Sequence, residues 1–166
     1  VGTDTFTFAA WDGVADSNLG TGTVTVVGRP WDAWRSLHFP TNDLVRADRS
    51  GPEADPDRDG VVNLLEYAFL TDPRLMDSGG NPRGVLTESN TVRALGLIVK
   101  RPAPPPADLV YQYEFSGHLT QWGSNGWTWF QPPVTNWNGY ETLVVRGPVT
   151  NSLPRQYGRV RVFLQP

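Results

Sequence analysis

The chain has 166 residues, a formal charge of -3 and 14 scattered basic residues, a balance that leaves no electrostatic footprint for nucleic acid or for an anionic membrane surface. It has no cysteine, which excludes disulfides, thiolate zinc sites and cysteine nucleophiles, so stability must come from packing, alone or together with a metal. Its 17 Gly and 15 Pro describe short strands joined by tight turns, and the length suits two lobes of a mainly β protein.

The opening Val1-Gly2-Thr3-Asp4 has neither the basic nor the apolar region of a signal peptide, so the chain is expected to begin inside a longer protein. No apolar run approaches the roughly 18 residues of a membrane-spanning helix, and no membrane insertion is expected. Residues 3–11 place Phe6 and Phe8 on one face and residues 22–27 place Val24 and Val26 likewise, the period-two pattern of half-buried strands. The turn-rich connector from Asp12-Gly13 to Asp16 and Asn18 would close them into a hairpin. Pro30 suits a first helical turn, and Trp31, Trp34, Leu37 and His38 follow at helical spacing on one expected face. Thr41 can cap a second short helix carrying Leu44 and Val45.

Asp55-Pro-Asp57-Arg-Asp59-Gly60-Val61-Val62-Asn63-Leu-Leu-Glu66 meets every constrained position of an EF-hand loop. A hard cation takes about six to eight oxygens, which alternate acidic residues deliver as a loop curls around it. Asp55, Asp57 and Asp59 would each present a carboxylate and Val61 its carbonyl. Gly60 permits the sharp turn. Asn63 would ligate directly or through water, and Glu66 would close the site with both oxygens. Val62 would point into the core. A solvated acidic turn would explain the Asp and Gly residues but not Asn63 and Glu66 ahead of an apolar helix. The expected cofactor is Ca2+, since so many protein ligands at flexible distances suit it better than magnesium. Leu64, Leu65, Tyr67, Ala68 and Phe69 would continue as a helix that Thr71-Asp72-Pro73 stops.

From about residue 84 the period returns to two, with strands expected over 92–99, 109–115, 140–146 and 158–164 and a stiff extended spacer over Pro102–Pro106. These imply a small antiparallel sandwich. Trp122, Trp127, Trp129, Phe130 and Trp137 crowd one stretch among Asn125, Asn136 and Asn138. Flat rings beside amides suit pyranose binding, which makes Trp127, Trp129 and Trp137 a candidate carbohydrate platform. Equally, Trp127 and Trp129 alternate around Thr128 and can both face a core. His38 and His118 sit in no nucleophile constellation, so the chain is expected not to be an enzyme.

Gly2-Thr-Asp-Thr-Phe-Thr-Phe-Ala-Ala-Trp-Asp-Gly followed by Thr23-Val-Thr-Val resembles the last two strands of the cadherin-like, Ig-like repeats of large bacterial surface proteins. The acidic loop, with Trp34-Arg and Phe39 before it and Asn63-Leu-Leu-Glu-Tyr-Ala within and after it, resembles a calcium motif near the C-terminus of secreted bacterial proteins. Thrombospondin type 3 repeats and dockerins carry related loops. The strands around Leu109-Val-Tyr, Leu119-Thr-Gln-Trp122, Glu141-Thr-Leu and Arg159-Val-Arg are similar to the small sandwich that often follows that motif. The resemblance implies an Ig-like antiparallel β-sandwich with a helical calcium-binding insert. It also implies an extracellular or cell-surface module that links or docks domains. The expected organisation is a hairpin over 1–28, an EF-hand-like segment over 29–75 and a sandwich over 76–166. An isolated hairpin needs a host sheet. It can fold onto the sandwich of its own chain, complete a repeat upstream, or insert into a neighbouring subunit by strand addition, which would propagate into a filament. Expected partners are therefore copies of itself or neighbouring domains of a longer chain, with a glycan as the alternative for an adhesion module of a secreted enzyme.

Overall fold

A computed structural model describes residues 2–26, 28–77, 79–149 and 155–165. Within them the chain is mainly β, with antiparallel sheets, four short helices and an N-terminal hairpin. Strands β1 (Gly2–Phe8) and β2 (Gly20–Val26) pair antiparallel as their period-two pattern requires; Val27, the end of the expected second strand, lies outside the described residues. The connector is pinned by Asp12, whose Oδ1 accepts from the backbone N–H of Val14 and Ala15 at 2.8 and 2.9 Å. The hairpin forms a two-stranded sheet that joins neither of the other two.

Helix α1 (Pro30–His38) starts with proline at N1, as expected. Trp31 is buried and stacks on Trp34 with ring centroids 5.1 Å apart. Leu37 does not share their face: it is 81% exposed. Positions 31, 34 and 38 make the i, i+3, i+7 stripe of a 3.6-residue period, and position 37 falls well off it. In α2 (Thr41–Leu44) Pro40 holds the N-cap position without a side-chain cap, so Thr41 opens the helix rather than capping it, and Val45 is exposed. Helix α3 (Ala47–Ser50) ends at the buried Ser50, whose Oγ donates to the carbonyl of Asp43 and accepts from the guanidinium of Arg35, both at 2.8 Å. Helix α4 (Asn63–Phe69) stops at Leu70, which turns left-handed with φ 63°.

Strands β3 (Arg83–Ser89), β4 (Val92–Pro102), β7 (Thr128–Thr135) and β8 (Tyr140–Arg146) form a sheet in the order β3-β4-β8-β7. Strands β5 (Leu109–His118), β6 (Gln121–Gly123) and β9 (Tyr157–Leu164) form another in the order β6-β5-β9. The four expected strands are present as β4, β5, β8 and β9. The proline segment is not the straight spacer expected. Pro102 still pairs with Tyr140 at the end of β4, Ala103–Pro104 is a cis peptide, and Ala103 donates its N–H to the carbonyl of Gly139, so the chain turns back into the sandwich.

One apolar core joins α1 and α4 to β4, β5 and β8. Leu97 and Val99 of β4 and Leu143 and Val145 of β8 meet Leu109, Tyr113 and Phe115 of β5, and Trp31, Tyr67, Ala68 and Phe69 enter the same cluster from the helices. Residues of the helical segment and of the sandwich thus share one cluster. Asp108, buried ahead of β5, fastens the join. Its Oδ2 accepts from the Trp31 N–H at 2.8 Å and its Oδ1 from the Tyr67 hydroxyl at 2.9 Å, while the Tyr111 hydroxyl donates to the Ala68 carbonyl at 2.8 Å.

Candidate metal centre

The loop from Asp55 to Gly60 is held by its own carboxylates. Asp55 Oδ1 accepts from the Arg58 N–H at 2.7 Å and its Oδ2 from Gly60 at 3.0 Å; Asp57 Oδ1 accepts from Asp59 at 3.2 Å, and Asp59 Oδ1 from Val61 at 2.8 Å. These bonds need the chain to curl left-handed, at Arg58 with φ 66° and at Gly60 with φ 90°, and glycine takes the second without cost. The curl brings oxygen atoms of Asp55, Asp57 and Asp59 within 4.8 Å of one another. Three carboxylates at that spacing can hold a metal ion.

The two remaining side-chain positions come from α4. Glu66 and Asn63 are fully buried. Asn63 donates its amide nitrogen to the carbonyls of Arg49 and Gly51 at 3.0 and 2.9 Å, which fixes the amide and leaves Oδ1 aimed elsewhere. Among the described residues five buried side-chain oxygens lack a hydrogen-bond partner, and four belong to expected ligands: Asp57 Oδ2, Asn63 Oδ1 and both oxygens of Glu66. A buried carboxylate with neither oxygen satisfied is costly, and a hard cation would satisfy it. Burial, then the charges of Asp57, Asp59, Asp55 and Asp72, push the Glu66 carboxyl from 4.5 up to about 8. Burial also holds the Asp57 carboxyl above its ordinary value. The donor set therefore fits a divalent cation.

Glu66 lies outside the tight group of three aspartates, but their charges reach it. Val61, expected to offer its carbonyl, has a buried side chain, while Val62 is only half-buried and precedes α4 as its N-cap. The residue that plugs the loop into the interior is thus Val61 rather than Val62. Sequence reading missed Asp77, whose N–H donates to Asp59 Oδ2 at 3.1 Å, and Asp108; neither sits in a recognisable motif.

The aromatic stretch divides. Trp127 is half-buried against the core and meets Tyr113 edge-on at 5.3 Å. Trp129, 44% exposed, meets Trp127 at 5.0 Å with an interplanar angle of 78°, so the two present no common flat face. Trp137, 95% exposed, stands in the turn between β7 and β8. His38 packs on Trp34 at 4.7 Å with Nδ1 3.6 Å from Asp72 Oδ1, and His118 is exposed at the end of β5. Among the described residues no helix is long and apolar enough to cross a membrane. No protein-family model, curated protein or solved structure matches this chain.

Proposed function

We propose that the chain is a non-catalytic structural module whose helical segment is clamped by one calcium ion held by Asp55, Asp57, Asp59, Asn63, Glu66 and the carbonyl of Val61. The observation that carries this reading is the set of four unpartnered buried oxygens on three of the expected ligand residues. Calcium is favoured over magnesium because the donors are numerous, all oxygen and held on a loop and a helix at adjustable distances. The ion's role is structural. Glu66 and Tyr67 are neighbours on α4, so a cation that fixes the first also fixes the second, and with it the bond to Asp108 at the edge of the sandwich.

Isolated extracellular sites of this type bind calcium with a dissociation constant of about 10⁻⁴–10⁻³ M, so the ion would fill the site outside a cell and leave it empty in the cytosol. That supports a place in a secreted or cell-surface protein, as does the sequence resemblance of the hairpin to the cadherin-like, Ig-like repeats of bacterial surface proteins. With free calcium about 30 times the dissociation constant, the native state gains about 2 kcal/mol. Thermal unfolding in calcium and in chelator tests this: the midpoint should rise in calcium for the parent chain and stay level for Asp57→Ala. Identical melting of the parent chain in both conditions would refute a structural ion.

A second reading, a glycan-binding adhesion module, draws on Trp137 in its Asn136-Trp137-Asn138 turn and on the half-exposed Trp129. It predicts retention on a polysaccharide column that Trp137→Ala abolishes; equal elution of both proteins would dismiss it.

A further inference from the structure

The hairpin has two unlike faces. Thr3, Thr5 and Thr7 lie opposite Thr25, Thr23 and Thr21 on one side. The other carries Asp4, Phe6, Phe8 and Val24, with Phe6 opposite Gly22 and Phe8 opposite Gly20. The rings lean over those glycines: a Cβ at Gly22 would stand 2.6 Å from Phe6 Cζ, and one at Gly20 would stand 2.8 Å from Phe8 Cζ. Phe6 and Phe8 remain 55% and 56% exposed, although a two-stranded sheet is marginal in water unless such a face is covered.

A groove of about 510 Å³ opens between the two larger sheets, lined by Leu65, Leu95, Leu119, Trp122 and Val160, with Arg159 at its side. It runs beside β9, which among the described residues is the outer strand of its sheet, and an outer strand can accept another strand. Charge favours the match. Residues 1–28 carry Asp4, Asp12 and Asp16 and no basic residue, whereas residues 76–166 carry eight Arg and Lys against five Asp and Glu. Arg159, which lines the groove, and Arg161, two residues further along β9, share the single carboxylate of Glu114, at 2.6 and 3.5 Å, and Arg155 is exposed two residues before β9 begins.

We propose that the hairpin of one copy docks on the next, adding along β9 and seating Phe6 and Phe8 in this groove with Asp4 towards its arginines. The donor and acceptor surfaces are different parts of the chain, so the contact is head-to-tail and repeats from copy to copy. This deepens the structural-module reading by naming the partner as a second copy, and it does not depend on the ion for its chemistry.

The cysteine-free chain allows a direct test. Copies carrying Phe8→Cys are mixed in calcium with copies carrying Leu119→Cys, a groove position 63% exposed, and oxidised; a control mixture replaces Leu119→Cys with Leu86→Cys, 66% exposed on β3. The groove pair should cross-link about tenfold more than the control, as a specific contact centred on aromatic anchors requires, and Phe6→Ser in the donor should remove the excess. Equal yields in the two mixtures would overturn the proposal. So would a chain carrying both Phe8→Cys and Leu119→Cys that closes on itself as a monomer, since the hairpin would then occupy its own groove. Circular dichroism of each variant establishes that it folds. Equal cross-linking alongside intact calcium-dependent melting would sink the docking alone and leave the calcium reading standing.

Discussion

Glu66 sits where the acidic loop meets the helix that enters the core. It is fully buried, both its oxygens lack partners, and it faces the field of three loop aspartates. Without metal its carboxyl titrates near 8 in the folded chain against 4.5 ordinarily. Between those values the folded state holds a proton that the unfolded state has released, so metal-free stability should fall as pH rises from about 4.5 to about 8. Glu66→Gln mimics the protonated form and should flatten that slope while abolishing the response to calcium. Urea unfolding in chelator across this range checks both, and an unchanged slope in the variant would assign the titration elsewhere. The spacing of Asp55, Asp57, Asp59, Asn63 and Glu66 made the site legible in sequence, because an ion's coordination demands are local and fall within twelve consecutive positions. The burial of Asn63 and its grip on Arg49 and Gly51 were not legible, since they depend on how α3 folds back.

At the scale of elements, the join between helices and sandwich rests on a polar contact inside an apolar core. Asp108 accepts from an amide of α1 and a hydroxyl of α4, so Asp108→Ala leaves two buried donors without an acceptor. The cost should be about 2–4 kcal/mol. Equilibrium unfolding in urea measures it; a loss below about 0.5 kcal/mol would mean water replaces the carboxylate easily. Period-two patterning located β4, β5, β8 and β9 because each has a buried face. It overlooked β3, β6 and β7, which are short or mostly exposed and so carry little buried alternation. Asp108 was invisible for a different reason: one carboxylate after a proline run looks like a surface residue until Trp31 and Tyr67 arrive from 77 and 41 residues away.

Across the whole molecule, the acidic loop, α4 and the sandwich form one continuous chain of contacts, from Glu66 through Tyr67 and Asp108 to β5. The hairpin stands apart from it as a separate sheet. This arrangement agrees with the proposed structural module, in which an ion would clamp the body and the hairpin would be left to reach a partner. Composition showed the β class at once. It did not show that helices and sheets share a core, because which apolar stripes meet is decided by tertiary packing and not by period. Isothermal titration of calcium into the chelator-treated chain tests the clamp most directly. One ion should bind per chain, with an affinity that strengthens as pH rises towards about 8 and Glu66 gives up its proton. No heat of binding at millimolar calcium, with the protein folded, would contradict the account.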